Sequence, residues 1–135
     1  DIVSLCFKDE QDNNLETLFT GEPAYLCVEC NSYEHIKTGN LGMLDTALSG
    51  GEGLVMYMTS NSDTHDLEIP VGKSEIRMYM PYCSMIPGVY SARIYIRNGV
   101  YSYDIVESFR FTVKANKTIS RCQFYQPRKW QVVSQ

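Results

Sequence analysis

The stretch PGVYSARIYIR, residues 87–97, decides the fold class because its side chains alternate with a period of two. Such alternation turns successive side chains to opposite faces of a β-sheet. One set is mainly apolar and suited to a core: Tyr90, Ala92, Ile94 and Ile96. The other set is polar and suited to solvent: Ser91, Arg93, Tyr95 and Arg97. The pattern predicts a half-buried strand whose outer face carries two guanidinium groups and a phenol.

Strand-like patterns continue on both sides of this stretch. The tight-turn pair Asn98-Gly99 separates it from a strand expected over residues 101–113. Upstream, we expect strands over residues 2–8, 24–33, 42–48, 54–59 and 73–80, with a glycine-rich hairpin turn at Gly50–Gly53. No segment repeats apolar residues at helical period over three turns. The sequence predicts one all-β domain over residues 1–135, built as two packed antiparallel sheets.

Two features refine this architecture. Tyr90, just after the Pro87-Gly88 turn, resembles the tyrosine that ties down a corner in immunoglobulin-like sandwiches. Residues 115–135 extend beyond the last core strand, and their composition is strand-like at Ile119–Tyr125 and Trp130–Val133. This extension needs a free sheet edge, either in the same molecule or by strand exchange in a dimer. Both arrangements stay open.

Composition and charge exclude several functions. A formal net charge of −4 is unsuited to binding phosphate backbones, so no nucleic-acid partner is expected. No apolar run approaches the roughly 20 residues that span a bilayer, so no direct membrane insertion is expected. The N-terminus lacks the features of a signal peptide and begins as though cut from a longer chain, so we expect an upstream domain.

Cysteine and histidine spacing does not favour a metal. The five cysteines form an odd set, which favours free thiols in a reducing compartment. Cys27 and Cys30 lie three apart on a predicted strand, so they should point to opposite faces. Neither His35 nor His65 lies at ligand spacing. No cofactor or metal is expected.

A catalytic apparatus is also not recognisable. No nucleophile stands beside a base, and the glycine-rich segment lacks the lysine of a phosphate-binding loop. Asp45, Asp104 and Glu107 could supply paired carboxylates for a glycosidase, although the sequence does not set their separation. Surface or hydrogen-bonded carboxylates are far commoner, so we predict that the chain is not an enzyme.

The order of local features along the chain is similar to that of a known family. The matching features are Gly21-Glu22, Thr59-Ser60-Asn61, Val71-Gly72, Ile86–Tyr90, Phe109–Val113 and the late Trp130. Together they resemble the C-terminal carbohydrate-binding domain of the ATP-binding subunit of O-antigen polysaccharide ABC transporters, the Wzt type.

The resemblance implies an immunoglobulin-like antiparallel β-sandwich whose last strand can be exchanged in a homodimer. It implies a cytoplasmic domain at the inner face of the bacterial inner membrane, with the ATP-binding domain and the transmembrane subunit as partners. The implied role is to bind the non-reducing end of the finished glycan before export. Because no phosphate-binding motif is present, this chain should neither bind nor hydrolyse ATP.

The sugar contacts are nominated on physical grounds. Arginine donates hydrogen bonds in a rigid fork, and an aromatic ring can stack on a pyranose face. The predicted solvent face gathers Arg93, Tyr95 and Arg97, with Asp45, Tyr57 and Tyr103 from neighbouring strands as further candidates. An ordinary solvated strand face is the simpler interpretation of the same spacing. A protein-interaction or dimerisation module without its own glycan is the alternative function.

Overall fold

The computed structural model describes residues 1–48 and 53–134, and this part of the chain folds as β-strands, turns and loops without a helix. Its ten strands are β1 (Ile2–Lys8), β2 (Asn14–Leu15), β3 (Thr17–Phe19), β4 (Ala24–Ser32), β5 (Ile36–Ala47), β6 (Leu54–Thr59), β7 (Leu67–Ile69), β8 (Gly72–Met80), β9 (Gly88–Asn98) and β10 (Tyr101–Lys114). The hairpin turn expected at Gly50–Gly53 falls, except for Gly53, outside the described residues.

The strands form two sheets that face one another. One sheet has four strands in the order β2-β1-β4-β8, and the other has the order β3-β10-β9-β5-β6, with β7 paired to β5. The predicted β-sandwich is therefore confirmed. One pair of strands differs from the antiparallel prediction, because β3 runs parallel to β10. The chain passes from β2 to β3 across a single residue, and this crossing carries it from one sheet to the other.

The core lies between the sheets and follows the alternation in β4 and β9. Leu26 and Val28 of β4 face Ala92 and Ile94 of β9, and all four side chains are fully buried. Burying a leucine, valine or isoleucine side chain contributes about 1.5–3 kcal/mol relative to leaving it exposed. The period-two pattern that predicted the strand therefore also supplies the contacts that hold the two sheets together.

Tyr90 closes one corner of the sandwich. Its ring is buried and stacks on Phe111 of β10, with ring centroids 5.6 Å apart. Its hydroxyl donates a hydrogen bond of 2.6 Å to the backbone carbonyl of Ile86. This bond ties the turn before β9 to the strand itself, in the manner expected from the Pro87-Gly88 turn.

The C-terminal extension forms no strand over residues 115–134, so the strand-like composition at Ile119–Tyr125 and Trp130–Val133 does not produce a strand within the single chain. Tyr125 is buried, and its backbone N–H donates a 2.6 Å hydrogen bond to the carbonyl of Ser84. Beyond Tyr125 the chain leaves the core, so Trp130, Val132 and Val133 are exposed.

In the described residues there is also no helix long and apolar enough to cross a membrane.

Candidate functional site

The solvent side of the six-stranded sheet carries most of the predicted site. We call this surface, formed by β5, β6, β9 and β10, the outer face. Residues directly opposite one another in adjacent strands point to the same side. The register places Arg93 opposite Leu44, Tyr95 opposite Gly42, and Arg97 opposite Asn40. Arg93, Tyr95 and Arg97 therefore share one face, as the alternation predicted.

Tyr95 points outward, but it is not exposed. Only 4% of the residue is accessible, because its ring lies flat over Gly42 on the neighbouring strand. A Cβ atom at position 42 would stand 2.1 Å from Cζ of Tyr95, which is far inside van der Waals contact. Glycine inside a strand commonly marks such a close approach. The prediction of an exposed phenol at this position is wrong.

Two neighbours cover and fix the Tyr95 ring. The hydroxyls of Tyr57 and Tyr95 are 2.6 Å apart and share a hydrogen bond. The guanidinium carbon of Arg97 lies 4.2 Å from the centre of the Tyr95 ring, which is a cation–π contact. Burial, followed by the hydrogen bond with Tyr57, raises the pKa of Tyr95 to about 12. Tyr57, which is 51% accessible, and Arg97 are thus the solvent-facing parts of this cluster.

Arg93 lies beside this cluster and pairs with an acidic neighbour. Its Nε atom is 3.2 Å from a carboxylate oxygen of Glu107 on β10, and both side chains are exposed. An exposed ion pair of this kind contributes about 0–1 kcal/mol. The guanidinium of Arg93 can therefore exchange Glu107 for a ligand at little cost.

Asp45 is not part of the outer face, so its predicted placement is wrong. It lies opposite Ala92, whose side chain is in the core, and its own accessibility is 0%. Among the described residues, neither oxygen of its carboxylate has a hydrogen-bond partner. Burial raises the pKa of Asp45 to about 7. The residue beside Arg93 is instead Leu44, and the alternation gave no warning because β5 is apolar on both faces around this point.

The predicted placement of Tyr103 is also wrong, because of a bulge in β10. Ser102 pairs with Arg97 on the outer face, whereas Asp104 pairs with Ile96, which faces the core. Tyr103 is the extra residue between these two pairs. A bulge of this kind re-aims a side chain and shifts the alternation by one. Tyr103 consequently packs against the core at one end of the sandwich.

Sequence reasoning missed two members of the outer face, and it considered a third, Glu107, only as a carboxylate for a glycosidase. Asn40, Leu44 and Glu107 border the arginines, and only the strand register brings them there. Gly42 was the one signal in the sequence that could have located the centre of the face, because a glycine inside a predicted strand indicates a close approach of another group.

The described residues hold few groups suited to other chemistry. All five cysteines are free. Within residues 1–48 and 53–134, no three histidine, cysteine or acidic side chains lie close enough together to hold a metal ion. The outer face itself offers hydrogen-bond donors, an aromatic ring and one carboxylate. These groups can bind a polar ligand.

Fold and surface together define the class as a β-sandwich with a polar, aromatic sheet face. The chain is similar over 99% of its length to a solved structure of the C-terminal domain of Wzt, with a TM-score of 0.70, 10% sequence identity and 83% coverage of that chain. The fold predicted from the resemblance is therefore confirmed. A β-glucosidase from Listeria innocua in complex with gluconolactone is also similar, at a TM-score of 0.45 and 13% identity, over 84% of this chain and 15% of the enzyme. No protein-family model and no curated protein matches the sequence.

Proposed function

We propose that this chain is a non-catalytic domain that binds the non-reducing end of a bacterial O-antigen polysaccharide and thereby selects the finished glycan for export by an ABC transporter. The observation that carries the proposal is the whole-chain similarity of its fold to the C-terminal domain of Wzt. In this proposal the domain works in the cytoplasm, at the inner face of the inner membrane. Its partners there are the ATP-binding domain and the transmembrane subunit of the transporter.

The outer face is the proposed glycan site. Arg93 and Arg97 supply fork-shaped donors for sugar hydroxyls or for an acidic terminal group. Tyr57 offers an exposed ring on which the apolar side of a pyranose can stack. Tyr95 acts beneath them, because its buried ring holds both Tyr57 and Arg97 in place. The sheet holds these side chains on a rigid support, so binding a ligand costs little conformational entropy.

Isothermal titration of the purified chain with O-antigen polysaccharide tests this site. A hydrogen bond to a charged group contributes about 1.5–3 kcal/mol, so we expect Arg93→Ala and Arg97→Ala each to weaken binding about tenfold or more. Lys73→Ala is the matched control, because Lys73 is an exposed cation on β8 of the other sheet. Circular dichroism should be unchanged in all three variants. Unchanged affinity in both arginine variants would contradict the assignment of this site. If the unmodified chain does not bind the polysaccharide at all, the proposed function is wrong.

We further propose that the domain forms a homodimer through its C-terminal extension. The strands β6 and β8 end their sheets, and each leaves an edge that no other described strand pairs. Residues of both strands line the same two cavities, so these edges lie side by side. All six methionines border the seam between these edges: Met43, Met56, Met58, Met78, Met80 and Met85. Methionine adapts its shape to an incoming apolar chain. The exposed Trp130, Val132 and Val133 supply such a chain, from a second copy.

A protein-interaction module without a glycan of its own is the second candidate function. The exposed apolar residues of the extension favour it, since such residues are typical of interfaces. The polysaccharide titration separates the two functions, because a pure interaction module would not respond to the glycan.

A further inference from the structure

A second cleft lies at one end of the sandwich, away from the centre of the outer face. It has a volume of about 440 Å³ and opens between the β4–β5 turn and the β9–β10 hairpin. Ile36, Ile69 and Ile96 form an apolar floor. Tyr33, Tyr101 and Tyr103 form the walls. We call this cavity the end cleft, and its size falls within the range of roughly 300–1,000 Å³ that is usual for small-molecule sites.

The walls present aromatic surface to the cleft. Tyr33 is 82% accessible and Tyr101 is 62% accessible, so both rings have faces free to contact a ligand. Tyr101 and Tyr103 meet edge to face, with ring centroids 4.9 Å apart. That contact restricts both rings, and the bulge in β10 is what turns Tyr103 toward this end of the molecule.

Polar groups surround the apolar floor and are held in place. The carboxylate of Asp104 accepts hydrogen bonds from the backbone N–H groups of Ile2 and Ile105, at 2.7 and 2.8 Å. The hydroxyl of Ser32 donates a 2.6 Å hydrogen bond to the carbonyl of Glu34, which fixes the turn that carries Tyr33. Asn31 adds a further polar lining residue. The cleft is therefore formed before any ligand arrives.

The electrostatic character of the end cleft is opposite to that of the outer face. Asp1, Glu34 and Asp104 bring carboxylates to its lining. No lysine, arginine or histidine side chain is among the described residues that line it. The backbone nitrogen of Asp1 donates a hydrogen bond of 2.6 Å to the carbonyl of Asn31. A ligand with a negative charge would be repelled here, whereas hydroxyl and ammonium groups would find acceptors.

We propose that the end cleft is a second carbohydrate site, which takes one neutral or amino-bearing pyranose and rejects acidic sugars. A pyranose has an apolar C–H side that fits a tyrosine face and a rim of hydroxyls that donates to carboxylate and amide oxygens. The cleft offers both kinds of partner around an apolar floor. The proposal depends on the proposed function only in that its ligand is also a glycan. Because the carboxylates of the end cleft repel an acidic terminal group, such a group would bind at the arginines of the outer face instead.

Nitrogen–proton correlation spectra of the ¹⁵N-labelled chain test the proposal. The probes are two matched pairs that differ in one carboxylate, glucose with glucuronic acid and galactose with galacturonic acid, together with glucosamine. We expect a neutral sugar and glucosamine to shift the amide signals of residues 31–34 and 101–104. The acidic member of each pair should bind about tenfold more weakly, or not at all. No shift at these amides with either neutral sugar, or equal binding of the acidic members, would overturn the proposal.

Variants at the cleft provide a second check. Tyr101→Ala removes an exposed ring from the wall, so we expect about a tenfold loss of affinity for the neutral sugar. Tyr82→Ala is the control, because Tyr82 is an exposed tyrosine outside the end cleft. Glu34→Gln keeps the shape of the side chain and removes its negative charge. This variant should reduce the difference in affinity between the neutral and the acidic sugars. Equal affinity in Tyr101→Ala and the unmodified chain would contradict the assignment.

These outcomes separate the end cleft from the proposed function. Sugar shifts confined to the outer face would overturn the end cleft and leave the proposed function standing. Shifts at the end cleft, combined with no binding of the polysaccharide, would instead support the cleft and contradict the proposed function.

Discussion

Asp45 is an acidic residue in a position of β5 that faces the apolar core. Its carboxylate lies in the core, and no described residue offers it a hydrogen bond. Burial raises its pKa from 3.8 to about 7, so the folded state holds the proton more tightly than the unfolded state does. The neutral form of Asp45 is the one that suits the folded domain.

The pH dependence of stability follows from this shift. Because the folded state binds more protons, the free energy of unfolding should fall as the pH rises from 3.8 to about 7, and it should level off above that. The contribution of Asp45 to the slope is roughly 1.4 kcal/mol per pH unit. Urea unfolding of the unmodified chain and of Asp45→Asn, at several pH values, measures it. The variant should gain stability relative to the unmodified chain as the pH rises, and a difference that stays constant with pH would contradict this account.

At the scale of the strands, alternation predicted most of the fold. The strands β1, β4, β6, β8, β9 and β10 lie close to their predicted ranges. The short strands β2, β3 and β7 were missed, because two or three residues cannot show a period. The first half of β5 was missed as well, since Lys37, Thr38 and Asn40 give it a polar, loop-like composition.

The candidate site was predictable only where one strand alternates without interruption. In β9 the side chains of Arg93, Tyr95 and Arg97 point as expected. In β10 the bulge before Asp104 shifts the alternation, and in β5 the apolar residues on both faces hide it. Side-chain burial on an outer face, as at Tyr95, depends on cross-strand neighbours that no single strand reveals.

The packing of β9 on β5 should be sensitive to Gly42. A side chain at this position must displace the Tyr95 ring and break its bond to Tyr57, so we expect Gly42→Ala to cost about 1–3 kcal/mol of stability. Gly88→Ala is the matched control, because a Cβ there meets only ordinary contacts at 3.6 Å or more. Chemical denaturation measures both variants. If Gly42→Ala and Gly88→Ala unfold alike, the close approach of Tyr95 to β5 does not matter for stability.

At the scale of the whole molecule, residues 126–134 belong to neither sheet of the sandwich. The proposed dimer would cover Trp130 and Val132 against the methionine-lined seam. Deleting residues 126–135 leaves Tyr125 in place and should convert the dimer to a monomer. Size-exclusion chromatography with light scattering reads the mass directly. An unmodified chain that is already a monomer, or a truncated chain that is still a dimer, would contradict strand exchange.

A double substitution tests whether the dimer depends on the apolar side chains of the extension or only on its length. Trp130→Ser combined with Val132→Ser should dissociate the dimer as the deletion does, because both side chains are exposed in the single chain and apolar. Lys129→Ser combined with Gln131→Ser is the control and should leave the mass unchanged.

The domain carries two surfaces of different charge that we propose as sugar sites, and the outer face is the one on which the proposed function depends. If its arginines recognise the end of the glycan, the terminal group should dominate the affinity. Titrating the chain with intact O-antigen polysaccharide, and with the same polysaccharide lacking its terminal modification, measures this most directly. We predict that the chain binds the intact glycan, and that its affinity for the glycan without the terminal modification is lower by about tenfold or more. Equal affinity for both, or no affinity for either, would contradict the proposed selection of finished glycan ends.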